Sequence, residues 1–289
     1  MRVVSFNQGS VGAVHDGTIT DLTAMITGPA RRGRPTAGMI GLIERWDTLR
    51  RTLVAGELAA LPAIPLANAR LDAPVSAPGK IIAAPVNYLD HQTEMKADAT
   101  VADLGFFLKA PTSVIGPGGT VQLPYLDRRT DQEGELAVVI GATARHITPE
   151  QALGHVFGYT CLLDITVRGR EDRSMRKSFD TFTPIGPWIT TADEVGDPGS
   201  LELRCWVNGE LRQNATTKDL IVGAADLIAH ISSVLTLYPG DIIATGTPAG
   251  VGPLAHGDRV AVEIERVGRL EVSVSAEGAA AWEDRRLRR

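Results

Sequence analysis

From Lys80 to Glu265 the chain is cut by glycine and proline into apolar runs of three to eight residues, and that texture limits the fold more than any other feature. The runs are Ile81–Ala84, Phe106–Leu108, Leu136–Ile140, Val156–Leu163, Ile242–Ala244 and Val260–Ile264. Apolar segments this short, bounded by turn residues, read as strands buried in sheets. Two helices are expected among them, at Pro149–Gly158 and Ala224–Val234, the first overlapping the run at Val156. The main body is therefore an α+β, β-rich domain. Upstream, residues 1–25 alternate like strands at Val3–Ser5, Gly12–Val14 and Thr18–Ile19, with a turn at Asp16–Gly17. Ile40, Leu42, Ile43, Trp46, Leu49 and Leu53 then fall on helical spacing within Ala37–Ala60. Leu61–Pro78, with four prolines, reads as a linker or an extended edge. A boundary near residue 75 divides a small N-terminal domain, 1–75, from a main domain, 76–289.

Lys plus Arg number 29 and Asp plus Glu 34, a net charge of −5. That balance argues against nucleic acid or an anionic membrane surface as partner. The arginines of Arg168–Arg176 and Arg285–Arg289 form local positive patches, and for the tail the plain reading is solvation. The start, MRVVSFNQGSVGAV, lacks a charged lead followed by an apolar core of roughly 7–15 residues. No stretch approaches the ~18 apolar residues that span a bilayer. Cys161 and Cys205 are far apart with no CxxC, so they read as free buried thiols in a reducing compartment, the cytoplasm.

The chemistry sits where charges interrupt the apolar runs. Glu133 and Glu135 are two apart at the mouth of Leu136–Ile140, so on a strand they share a face. Crowded carboxylates repel and lose hydration there, which a hard divalent cation with oxygen ligands relieves. Two surface glutamates at a strand start are the bland alternative. Asp164 closes the run Val156–Leu163, where an ionised group is rare unless paired, although an Asp also caps turns. A Glu, Glu, Asp set with no Cys or His at ligand spacing suits Mg²⁺ or Mn²⁺ better than Zn²⁺. Three carboxylates leave a +2 site negative, and Lys177 is the candidate counter-charge for an anionic substrate. His91 and Glu94 stand at i and i+3 and suit a general base oriented by a carboxylate, or an incidental pair on a surface helix. Gly246, Gly250 and Gly252 follow Ile242–Ala244 and let backbone approach a ligand, or form an ordinary turn. There is no Walker loop, GxSxG or HExxH.

Taken in order, six segments resemble the fumarylacetoacetate hydrolase superfamily over about two thirds of the chain. They are Lys80–Glu94, Phe107–Gly118, Glu133–Gly141, Gly158–Asp164, Lys177–Trp188 and Pro239–Gly252. The resemblance, nearest the 2-hydroxyhepta-2,4-diene-1,7-dioate isomerase and acylpyruvate hydrolase branch, implies a β-roll catalytic domain that forms a homodimer, with a small N-terminal α/β domain. It implies Mg²⁺ or Mn²⁺ on Glu133, Glu135 and Asp164, and His91 with Glu94 as a water-activating dyad. Lys177 matches the family lysine near metal and substrate, and Thr247 the threonine of the loop lining the pocket. Many relatives carry Ala-Arg-Asp-x-Gln and a longer insert where this chain has Val167-Arg-Gly-Arg-Glu. Arg168 and Glu171 then stand as substrate contacts, Gly169 replacing the Asp and Glu171 the Gln. The implied activity on a small 2-oxo acid is hydrolysis of a C–C bond in an acylpyruvate-like 2,4-dioxo acid, through an enolate that the metal stabilises. The alternatives are an isomerase or decarboxylase of related diacids, oxaloacetate included, and a relative that binds a metabolite without turnover.

Overall fold

In the computed structural model of the chain, which describes residues 1–26, 38–54 and 61–285, the apolar runs become strands in two of three sheets. The largest has eleven strands among the described residues. At its centre Thr183–Thr191, Val156–Leu163, Gly134–Ile140 and Ile242–Ala244 lie antiparallel. Ile81–Ala83 continues the sheet in parallel, and Phe107–Lys109 follows antiparallel. Successive side chains on a strand face opposite sides. Leu136, Val138, Cys161 and Ile243 accordingly enter one core, while Ala137, Val139, Leu162 and Ile242 enter a second. With both faces buried, the strands show unbroken apolar runs rather than alternation.

A five-stranded sheet covers the first core, in the order Glu210–Thr216, Glu202–Val207, Arg259–Ile264, Gly268–Ser275, Thr120–Gln122. Its members Leu203, Cys205, Val262 and Leu270 pack with Leu136 and Val138. Four of these strands were not among the expected runs: Thr120–Gln122 is only three residues long, and in the other three polar residues interrupt the apolar ones toward solvent. The third sheet is small and decisive for position. It joins Thr166–Val167, Thr130–Gln132 and Gly252–Pro253, gathering the segments beside Asp164, Glu133 and the glycine-rich loop.

The α+β, β-rich architecture is the one expected. The helix Ala224–Val234 forms with those bounds. The other is shorter than its pattern: Pro149–Ala152 is α, Leu153–His155 is a 3-10 turn, and pairing with Gly134–Ile140 claims the chain from Val156. The stretch expected as Ala37–Ala60 is two helices, Gly38–Glu44 and Trp46–Val54, and its residues 37 and 55–60 lie outside the described residues. So do residues 286–289 of the arginine tail. Strands Arg2–Phe6, Ser10–His15, Thr18–Asp21 and Ala63–Pro65 extend the largest sheet, Arg2 pairing with Thr190 and Val3 with Ile189. Residues on both sides of position 75 thus share one sheet. Among the described residues no helix is long and apolar enough to cross a membrane.

Candidate active site

Antiparallel pairing sets Gly134 opposite Leu163, so the next residues outward, Glu133 and Asp164, meet at the end of the sheet. The Asp164 N–H donates to the Glu133 carbonyl at 2.8 Å. Glu135, two residues on, turns to the same side. One oxygen of each acid lies within 4.8 Å of the others, and all three side chains are buried. The loop after Ile242–Ala244 reaches in from above, where the Gly246 N–H donates to Glu135 Oε2 at 2.7 Å. Gly246 has φ +100°, and a Cβ there would lie 2.7 Å from Cβ of Asn87, so only glycine brings that amide down.

Buried acids need partners, and this site supplies cations from three segments. Lys177, ending the helix Arg173–Lys177, places Nζ 2.5 Å from Glu133 Oε2 and 2.6 Å from Asp164 Oδ2. Lys109, ending Phe107–Lys109, donates to Asp164 Oδ1 and, at 3.1 Å, to the Phe182 carbonyl. Arg168 spans Asp131, with Nε at 2.6 Å, and Glu133, with Nη2 at 2.9 Å. Burial pushes the Glu133 carboxyl up, but Lys177 and Arg168 outweigh it and hold the group well below the usual range. Glu135 goes the other way: burial and the charge of Asp164 hold it well above. Burial lowers Lys109, while at Lys177 the surrounding acids overcome burial and raise the ammonium. The donor set is compact and all oxygen, which fits Mg²⁺ or Mn²⁺ held by Glu133, Glu135 and Asp164.

His91 and Glu94 sit on the helix Leu89–Met95, with Nδ1 3.1 Å from Glu94 Oε2. The other oxygen of Glu94 accepts the Gly250 N–H at 3.0 Å, so the glycine-rich loop also fixes the dyad. Asn87 anchors the approach to this helix. Its amide donates to the carbonyls of Val222 at 2.9 Å and Thr245 at 2.8 Å, and its oxygen accepts the Val222 N–H at 2.8 Å. The Thr247 hydroxyl donates to the Gly134 carbonyl at 2.9 Å and accepts from Gln213 Nε2 at 2.7 Å.

A pocket of about 350 Å³ opens onto His91, Glu133, Glu135, Arg168, Lys177 and Thr247. Six of the nine residues singled out in the sequence therefore line one cavity, with Glu94 and Asp164 in contact behind them. Glu171 does not line it. Arg128 takes up its carboxylate through two 2.9 Å bonds and holds its pKa down to about 2, and the Arg128 guanidinium lies 4.5 Å from the centre of the Trp282 ring. The glycine at 169 makes room for that pair, since a Cβ there would fall 1.7 Å from Arg128 Nη2. Gly169→Ala is expected to displace the pair and cost about 1 kcal/mol. A thermal melt should then show Tm lower by roughly 2–4 °C; an unchanged Tm would mean the pair adds nothing.

Sequence reasoning missed Lys109, Gln213, Arg128 and two further arginines of the pocket, Arg173 and Arg176. Lys109 carried the signal that exposed Asp164, a charge closing an apolar run. A larger cavity of about 660 Å³ lies between the N-terminal strands and Val114–Gly119, but among the described residues its lining holds only Arg70 and Asp72 as charged groups.

Comparisons with known proteins find similar sequences and structures over nearly the whole chain. The family model for the C-terminal region of fumarylacetoacetate (FAA) hydrolase matches residues 80–275. A maleylpyruvate hydrolase of Aquipseudomonas alcaligenes is 43% identical over 95% of this chain and 99% of its own. The crystal structure of maleylpyruvate hydrolase from Sphingobium sp. SYK-6, in complex with manganese(II) and pyruvate, superposes with TM-score 0.84 at 44% identity, covering 97% of this chain and all of that one. A 2-hydroxyhepta-2,4-diene-1,7-dioate isomerase from Mycobacterium marinum is similar at TM-score 0.75 and 31% identity, over 96% of this chain and 99% of that one.

Proposed function

The chain belongs to the fumarylacetoacetate hydrolase family, and from that premise we propose that it is a divalent-metal-dependent acylpyruvate hydrolase that cleaves maleylpyruvate-type 2,4-dioxo acids to pyruvate and a carboxylic acid. The observation that carries this reading is one pocket that joins the acid triad to the His91–Glu94 dyad. Metal and a counter-charge alone would serve any 2-oxo acid chemistry, whereas an oriented base facing them serves hydrolysis.

A divalent cation on Glu133, Glu135 and Asp164 supplies Lewis-acid polarisation of the 2-oxo carboxylate. Glu94 at Nδ1 fixes the proton on that nitrogen and leaves Nε2 as the basic one. His91 takes a proton from water, whose oxygen bonds to C4 of the substrate. The C3–C4 bond breaks and its electron pair passes into the pyruvate unit. Lys177 steadies the negative charge that this places on the 2-oxo oxygen. Return of the proton from His91 to C3 completes pyruvate. Thr247 and Arg168 shape the substrate side of the pocket.

The isomerase among the similar structures supports a second reading, in which the same residues move a proton without water attack. Incubation of the enzyme with maleylpyruvate, oxaloacetate and an unsaturated 2-hydroxy diacid, each with Mn²⁺ or Mg²⁺, separates the two. Pyruvate released from maleylpyruvate and abolished by a chelator is the expected result. Isomerisation of the diacid with maleylpyruvate untouched would replace the first reading by the second, and binding without turnover would favour a non-catalytic role.

We read residues 1–75 as a small N-terminal domain remote from the chemistry, supported by a pocket lining that begins at Ala84. Family likeness supports a homodimer, and two buried free cysteines support a reducing cytoplasm.

A further inference from the structure

The cations of the pocket outnumber what the reaction needs. Arg168 is committed to Asp131 and Glu133, and Lys177 to Glu133 and Asp164. Arg173 and Arg176 also line the cavity, and neither forms an ion pair with any acid among the described residues. Arg176 is half-buried and tied to neutral backbone: Nε donates to the Glu171 carbonyl at 2.8 Å and Nη1 to that of Val167 at 3.2 Å. These bonds aim the guanidinium without cancelling its charge. Among the described residues Arg173 makes no such bond, and its neighbour Asp172 is turned to cap the helix, accepting the Ser174 N–H at 2.8 Å. Arg128 has already claimed Glu171.

Helical spacing explains the placement. Arg173, Arg176 and Lys177 fall at i, i+3 and i+4, one face of a single turn. The helix thus delivers an ammonium to the acid triad, with Arg173 about one turn, ~5.4 Å, back along the axis and Arg176 next to the lysine in sequence. Met95, Val86 and Phe107 supply apolar lining in the same cavity. Two guanidiniums that line one cavity without an ion-paired acid are stable only beside water or an anion, and planar guanidinium forks match a carboxylate.

We propose that Arg173 and Arg176 form a second anion subsite that reads a carboxylate on the acyl side of the substrate. It makes the chain selective for dianionic acylpyruvates over those with an uncharged acyl group. The assignment rests on the hydrolase reading for its substrate, and on the pocket alone for its anion.

The test compares kcat/KM for maleylpyruvate with that for 2,4-dioxopentanoate, whose acyl group is uncharged, using the full-length Mn²⁺-loaded enzyme. Arg173→Ala is expected to lower the ratio of the two by about 10- to 100-fold, Arg176→Gln similarly, with partial recovery in Arg173→Lys. A ratio that stays within twofold in both variants overturns the subsite. Calorimetric titration of maleate gives a readout independent of turnover, with binding expected to weaken at least tenfold in Arg173→Ala. If the enzyme cleaves neither substrate, the hydrolase reading fails and the maleate titration alone decides the subsite: equal affinity in parent and variant sinks it.

Discussion

Asp164→Ala is expected to lower the unfolding free energy of the metal-free protein by about 3–5 kcal/mol and to abolish metal-dependent turnover. The magnitude follows from what the carboxylate holds. Lys109 and Lys177, both buried, share its two oxygens, and Lys109 has no other carboxylate partner in its bonds. Removing one member of a buried ion pair strands the other in a medium that cannot solvate it, which is where losses of this size arise. Urea denaturation of the chelated protein measures the cost. Asp164→Asn keeps the volume and part of the hydrogen bonding, so it should fold well enough to show lost Mn²⁺ binding by itself. A parent-like urea midpoint in Asp164→Ala would show that the lysines are not held by this acid.

His91→Ala lowers kcat by about 10²–10⁴ while KM changes only a few-fold. The imidazole lines the pocket, yet it is neither one of the three acids nor a partner to the lysines, so metal affinity and fold should persist. Steady-state kinetics with Mn²⁺ titration separates these quantities. Glu94→Gln should give a smaller loss of the same kind, because Gly250 continues to hold the side chain while the charge that orients imidazole is gone. A His91 variant that loses Mn²⁺ affinity, or pays only in KM, would remove the base from the mechanism.

Much of the site was legible because charge stood out against apolar sequence. Glu133, Glu135 and Asp164 each adjoin a buried strand, and antiparallel pairing brings them together as their surroundings imply. His91 and Glu94 were legible through local spacing, which a helix converts directly into contact. Long-range contacts were harder. Gln213 reaches Thr247 and Gly134 from an outer strand of the five-stranded sheet, and nothing in Leu211–Asn214 marks it as buried. Glu171 looked like a substrate contact by position, but Arg128, 43 residues away, neutralises it. Arg173 and Arg176 read only as part of a local positive patch because sequence shows a count of charges, not which of them find partners. In the fold, the strands facing solvent were lost for a parallel reason: their alternation is short and interrupted.

The pairing of Arg2–Phe6 with Thr183–Thr191 bears on how freely this chain can be shortened. Arg2 and Val3 occupy backbone groups of Thr190 and Ile189 that would otherwise stand open beside buried Ile185. A fragment trimmed to residues 80–275 would offer that row of amides and carbonyls to any extended segment, including one from another copy of itself. Natural sheets shield such flanks because they template aggregation. The first strand, which lines no part of the acid-triad pocket, thereby works as a solubility guard, and burial of Val3, Val4, Ser5 and Phe6 holds it in place by packing as well as by backbone pairing.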